Sequence, residues 1–186
     1  MKDTLYTLTV HSENIAGVLN KITTIFTRRQ LNIESLNVSA SALHGIHKYT
    51  ITTYSDESTM KKVTKQIEKI IDVLKADYYT DDEIFYREIA LYKIPTQSLV
   101  ESNSVEMLIS RHNARIIEVN ETYTAIQKAG TTEETTALYD DLEQIGILQF
   151  VRSGRIAVTK SHVEKLNEYL AYREAQYKLL ENKNGE

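Results

Sequence analysis

Residues Leu5 to Val10 alternate, with Tyr6, Leu8 and Val10 on one side and Thr7 and Thr9 on the other. Period two marks a half-buried strand. The polar run from His11 to Gly17 ends it, after which Val18, Leu19, Ile22, Ile25 and Phe26 recur at helical spacing. Arg28 and Arg29 close that helix, where cations suit the carbonyl end of the dipole. Two strands are predicted next, over Asn32 to Ala42 and Ile46 to Tyr54, joined through His44-Gly45. Asp56 and Ser58 are capping residue types for a second helix, with a stripe of Val63, Ile67, Ile70 and Ile71 and with Leu74 near its end. A fourth strand is expected within Val73 to Tyr79. The order is βαββαβ.

The same order returns further on. Ile84 to Ile94 reads as a long strand stopped by Pro95, since proline cannot donate to a ladder. Val100, Val105, Leu108 and Ile109 suggest a weaker helix, and Arg115 to Val119 and Tyr123 to Gln127 suggest strands around an Asn120-Glu121-Thr122 turn. Thr131 and Glu134 have capping-box spacing, with Ala137, Leu138, Leu142 and Ile145 as the helical face behind them. Leu148 to Val158 is read as a last strand, bent or bulged at Gly154. The two halves share topology and little sequence. Beyond them, Ser161 and Glu164 again have capping-box spacing, and Leu166, Leu170, Arg173, Tyr177 and Leu180 form the stripe of an amphipathic tail helix. Such a helix is marginal alone and needs a surface to lie on.

These elements predict an α+β chain of two tandem βαββαβ domains, residues 1–81 and 82–160, followed by a helical tail over 161–186. A βαββαβ unit stacks its helices on one face of a four-stranded antiparallel sheet, so the other face and the edges need cover. With Tyr49 and Ile51 in the third strand, self-association as a symmetric dimer is the economical solution.

Composition narrows the chemistry. The 186 residues hold 41% apolar side chains, enough for real cores, and no cysteine, which removes disulfides, thiol catalysis and cysteine-based zinc sites. No apolar run is long enough to span a bilayer and no signal layout opens the chain, so a cytoplasmic location without membrane contact is expected. The net charge of −4 argues against nucleic acid. RNA-recognition modules share the βαββαβ order, but the strand around Lys48-Tyr49-Thr50-Ile51 lacks their basic-aromatic run.

No catalytic pattern stands out. His44 and His47 have H-x-x-H spacing, but in a turn and without a third ligand, and the other histidines are isolated. Neither phosphate-binding glycine motif is present. Asn14 to Leu19 is the most informative segment. A glycine at a strand-to-helix junction lets backbone N–H groups approach a ligand, and a helix N-terminus suits a carboxylate. The structural alternative is that Asn14 caps a turn and Gly17 permits tight packing. Asn32 to Val38 is a second candidate, with the same structural alternative.

Asn14 to Val38 (NIAGVLNKITTIFTRRQLNIESLNV) resembles the opening of the acetolactate synthase (acetohydroxyacid synthase) small regulatory subunit family. The N-x-x-G-x-L loop stands at Asn14/Gly17/Leu19, the F-x-x-R helix end at Phe26/Arg29, and the N-I-[DE]-S-L-x-V run at Asn32 to Val38. Lys65 to Ala76, Arg87 to Ile94 and Arg152 to Gly154 also resemble the family, so the likeness covers residues 4–159.

That resemblance implies an N-terminal ACT domain and a second ferredoxin-like domain without catalysis of their own. It implies a large catalytic subunit as partner, carrying thiamine diphosphate, magnesium and FAD, with no cofactor in this chain. It implies activation of that subunit and feedback inhibition by valine in branched-chain amino-acid biosynthesis. Asn14, Gly17, Val18 and Leu19 would receive the effector's charged groups, faced by Asn32, Ile33 and Val38 of a neighbouring ACT domain across a homodimer interface. The chain departs from the family at Asn37, where Thr is frequent, in the Ser39-Ala40-Ser41-Ala42-Leu43 run, and in its long tail. Effector identity and strength therefore stay open. The alternative is a free-standing ACT-type amino-acid sensor without an enzyme partner.

Overall fold

The alternating N-terminal segment forms β1 (Thr4–Glu13), followed by α1 (Val18–Arg28), β2 (Ser35–Ala40), β3 (Ile46–Ser55), α2 (Glu57–Ile67) and β4 (Val73–Tyr79). The second series is β5 (Ile84–Pro95), α3 (Thr96–Glu101), α4 (Ser104–Arg111), β6 (Arg115–Val119), β7 (Tyr123–Gly130), α5 (Thr132–Glu143) and β8 (Gln149–Arg152). A short β9 (Ile156–Thr159) and the helix α6 (Lys165–Asn184) end it. The structure, a computed structural model, describes residues 4–101, 104–163 and 165–184. It divides into two units, one of residues 1–85 with 157–186 and one of residues 86–156.

In the first unit the strands run β2-β3-β1-β4, all antiparallel. Register places Leu36, Ile51, Leu8 and Tyr78 in one row and Val38, Tyr49, Val10 and Ala76 in another. Both rows face the helices, where Val18, Ile22, Ile25 and Phe26 of α1 and Met60, Val63 and Ile67 of α2 complete the core. Tyr49 and Ile51 are therefore buried in the chain's own core, not on the face expected to need a partner. The opposite face carries Thr7, Thr9, Thr50 and Thr52, and these too are buried. Residues after β8 cover part of this face: Lys48 Nζ donates to the Ala157 carbonyl at 2.9 Å, and Thr9, His11, Asp77 and Leu166 line one cavity of about 20 Å³. The chain supplies some of the cover that self-association was expected to provide.

α6 begins there. Lys165 Nζ bonds Asp77 Oδ1 at 2.9 Å and Leu166 is buried. Burial pulls the Lys165 pKa down, but the Asp77 carboxylate outweighs it and the ammonium is held above its ordinary value. Of the other residues of the expected stripe, Leu170 and Arg173 are half-buried, and Tyr177, Leu180 and the capping candidate Glu164 lie outside the described side chains.

Caps decide the helix ends. Asp56 accepts from the Thr59 N–H at 3.0 Å and from its hydroxyl at 2.7 Å at the start of α2. α2 stops at Ile67, so Ile70 is only half-buried in the turn beyond, and Ile71 is exposed rather than part of the expected stripe. α1 ends with Gln30 at φ 55° and the Leu31 N–H on the Phe26 carbonyl at 3.0 Å; α4 ends with Asn113 at φ 49° and the Ala114 N–H on the Ile109 carbonyl at 2.9 Å. The same left-handed stop thus serves both units.

In the second unit the order is β6-β7-β5-β8. Ala90, Tyr92 and Ile94 alternate into a core with Val105, Ile126, Leu138 and Leu142. The expected capping box is present: Glu134 N–H on Thr131 Oγ1 at 3.3 Å, and Thr131 N–H on Glu134 Oε2 at 2.8 Å. Thr135, not Ala137, takes the buried position on α5, because Tyr92 Oη donates to its carbonyl at 2.6 Å and Glu88 accepts its hydroxyl. The single strand expected over Leu148 to Val158 is two, β8 and β9, separated at Gly154 with φ 71°. Residues 102 and 103, between α3 and α4, and the Val100 side chain lie outside the described residues.

Hydrogen bonds from Thr59 and Ser58 hold the Asp56 carboxyl at about 2, below its ordinary value. A depressed pKa contributes stability above the unfolded value near ~4 and loses it as pH falls through the folded one. Asp56→Ala is expected to lower Tm at pH 7, and the gap from the parent should close between about pH 4 and pH 2. Thermal melts across that range measure it.

Candidate functional site

β1 and α1 meet in the loop Asn14 to Gly17. The Asn14 N–H bonds the Gly45 carbonyl at 2.9 Å, tying the loop to the β2–β3 hairpin, and the Ile15 N–H turns back on Glu13 at 2.9 Å. Gly17 then takes φ 89°, ψ −10°, and its own carbonyl accepts the first helical bond, from Lys21 at 3.1 Å. A left-handed residue at this position favours glycine. A Cβ at Gly17 would meet nothing within 4 Å, so the space above it is open.

No side chain caps α1 and its first turn carries no acidic residue. Asp56 and Thr131 fill that place on α2 and α5. The first-turn donors of α1 and the positive end of its dipole thus have no capping side chain.

The expected residues are placed unequally. Asn14 and Gly17 are exposed, and Leu19 (39% exposed) stands beside them on the helix. Val18 is fully buried in the core, so only its backbone can meet a ligand. Val38 (38% exposed) lies on the helix-side face of the edge strand β2, in the row of Val10 and Tyr49 toward the loop end of the sheet. Asn32 and Ile33 lie at the other end. Thr53 Oγ1 donates to the Asn32 carbonyl at 2.6 Å, and Thr53 pairs with Tyr6, seven positions before the end of β1. At the rise of an extended strand the two ends are ~20 Å apart. Asn32 Nδ2 bonds Glu34 Oε1 at 2.9 Å, and Ile33 packs partly on the core. One chain gathers Asn14, Gly17, Val18, Leu19 and Val38 toward one end and holds Asn32 and Ile33 away from them.

The hairpin from Ala40 to His47 adds residues that local patterns did not assign to this site. Asn14, Ala40, Leu43, Gly45 and His47 line an open depression beside the loop. Its signal in the sequence is Gly45, which adopts φ 77° and so brings its carbonyl to Asn14. Among the described residues no grouping of His, Asp or Glu could hold a metal ion.

Two family models match the chain: an AHAS small subunit-like ACT domain over residues 8–75, and the small subunit of acetolactate synthase over residues 87–161. An acetolactate synthase small subunit of Bacillus subtilis is 32% identical over 87% of this chain and 92% of its own length. One of Mycolicibacterium smegmatis is 31% identical over 83% of this chain and 91% of its own. The chain belongs to the acetolactate synthase small-subunit family. A crystal structure of the acetolactate synthase small subunit from Thermotoga maritima matches the fold with a TM-score of 0.77, at 24% identity, over 86% of this chain and 99% of that one. As a small subunit the chain is regulatory and non-catalytic, and a large catalytic subunit is its partner. The ACT-domain model spans both the Gly17 loop and β2, whereas α6 lies beyond both models.

Since the space above Gly17 is open, the cost of a side chain there is conformational. Gly17→Ala should lower stability by about 1 kcal/mol through the left-handed backbone alone, and Gly17→Asn, which tolerates that region better, should lose less. Urea unfolding of the two variants measures the difference.

Proposed function

We propose that the Gly17 loop of this small subunit binds a free branched-chain amino acid, valine foremost, and passes its presence to the catalytic large subunit as feedback inhibition. The observation that carries this is the uncapped start of α1 at Gly17. Its backbone N–H groups suit the effector's carboxylate, the Asn14 amide oxygen suits its ammonium, and Leu19 and Val38 offer apolar surface for an isopropyl group.

The separation of Asn32 from Gly17 supports a site shared by two copies. β2 is an edge strand with Val38, Ser39 and Ala40 exposed. An antiparallel pairing of two β2 edges about a two-fold axis brings the Asn32–Ile33 end of one chain to the loop end of its partner. An effector lying there touches both copies, so binding changes how the two edges pack. Coupling of roughly 1–3 kcal/mol is typical of such arrangements.

In this reading the thiamine diphosphate, magnesium and FAD belong to the large subunit, and the pair acts in the cytoplasm on pyruvate condensation. Among the described residues no helix is long and apolar enough to cross a membrane.

Adding the purified chain to its large subunit should raise acetolactate formation severalfold; an unchanged rate without co-elution would reject the proposal. In the reconstituted enzyme, Gly17→Asp should raise the valine concentration for half-inhibition at least tenfold, about 1.4 kcal/mol, because its carboxylate projects into the space reserved for the ligand's own. Unaltered valine sensitivity would remove the site from Gly17.

A further inference from the structure

The two units treat the helix-free faces of their sheets differently. The first is hydroxyl-rich and partly covered by residues 157–159 with Lys165 and Leu166. In the second unit the residues of β5 that point away from the helices are Arg87, Ile89, Leu91 and Lys93. Register sets Val151 of β8 directly beside Leu91, Ala129 of β7 beside Ile89, and Ala125 beside Lys93. Ile89, Leu91 and Val151 are 45%, 40% and 48% exposed. Adjacent apolar side chains this open, with a polar margin, have the anatomy of a protein interface.

The margin carries a sign. Arg115 is opposite Gln127, and the irregularity in β6 between Ile116 and Glu118 brings Glu118 opposite Ala125, so that both charges share the helix-free face. Among the strand residues described on this face, Arg87, Lys93 and Arg115 thus stand against Glu118, which already accepts from Tyr123 Oη at 2.7 Å. Lys93 lies over the Tyr123 ring at 4.1 Å and Arg115 bonds Gln127 Oε1 at 3.1 Å, which hold both cations on the face. The whole chain has a charge of −4, opposite in sign to this patch. A second copy apposed through the same face would set cations against cations. A surface of apolar centre and acidic margin complements it.

We infer that the helix-free face of the second sheet, centred on Leu91 and Val151 and bordered by Arg87, Lys93 and Arg115, is where the catalytic large subunit docks through an apolar surface edged with carboxylates. This rests on the large-subunit partnership stated above and assigns it a surface. The apolar centre holds the complex together once water is expelled, while the cations steer encounter and register, a contribution that salt screens.

The test uses the full chain and its large subunit, with affinity followed by titrating the activation of acetolactate formation at low and at physiological salt. Leu91→Asp should weaken association at least tenfold. Arg115→Glu, which leaves the apolar centre intact, should weaken it severalfold and flatten its salt dependence. Both variants should keep the parent's melting profile, oligomeric state and calorimetric response to valine. The inference is overturned if both variants activate with the parent's affinity, or if they dissociate the chain's own oligomer, which would assign the face to a second copy. Should Leu91→Asp lose the melting profile, Arg115→Glu alone decides between these outcomes. Failure of the parent itself to bind the large subunit would instead reject the partnership, so the two failures are distinct.

Discussion

The left-handed turn at Gly17 is the constraint on which the entry into α1 rests. It lets the chain leave β1 and enter α1 without a capping side chain, and the conformation is one that a residue with a Cβ adopts only at a cost. α2 and α5 solve the same problem of unpaired first-turn donors with Asp56 and Thr131. Those helix starts are satisfied from within the chain. At α1 the donors stay open, and the exposed Leu19 adds apolar surface next to them.

A second theme is how each sheet deals with the face its helices leave bare. Threonine lines it in the first unit, where hydroxyls can satisfy themselves locally: Thr52 and Ser35 share a hydrogen bond of 2.7 Å. Lys48, Asp77 and Lys165 then anchor the polypeptide that lies across part of it. In the second unit the bare face is apolar at its centre and cationic at its margin, and it stays open. A polar face can be covered in part by a short stretch of the chain's own polypeptide and the first turn of a helix. An apolar face with like charges around it calls for a different molecule.

Much of this architecture is legible along the chain. Alternation in β1 and β5, the stripes of α1 and α5, the Thr131–Glu134 box and the hairpin turns at His44-Gly45 and Asn120 to Thr122 are local patterns, and local patterns report directly on local structure. The positions where pattern misleads depend on distant neighbours. Ile71 continues a helical stripe in the sequence, but α2 ends at Ile67 and the turn toward β4 leaves it in water. Ala137 suits a helix interior, yet Thr135 takes the buried place because Glu88 and Tyr92 are there to bond it. The matching left-handed stops at Gln30 and Asn113 link two halves whose side chains hardly correspond.

By itself the sequence determined the βαββαβ order of the first unit, its return in the second (where one expected helix is α3 and α4 and one expected strand is β8 and β9) and the loop around Gly17, because hydrophobic period and backbone-permissive residues act over a few positions. Only the tertiary structure decided that Val18 serves the core while Leu19 serves the surface, and that Asn32 stands at the far end of the sheet from Gly17. It also decided that the threonine face of the first sheet is partly covered by the chain itself while the Leu91 face of the second is open. Those outcomes depend on which strands pair and in what register, and register arises from contacts between residues far apart in the chain, which no local pattern encodes.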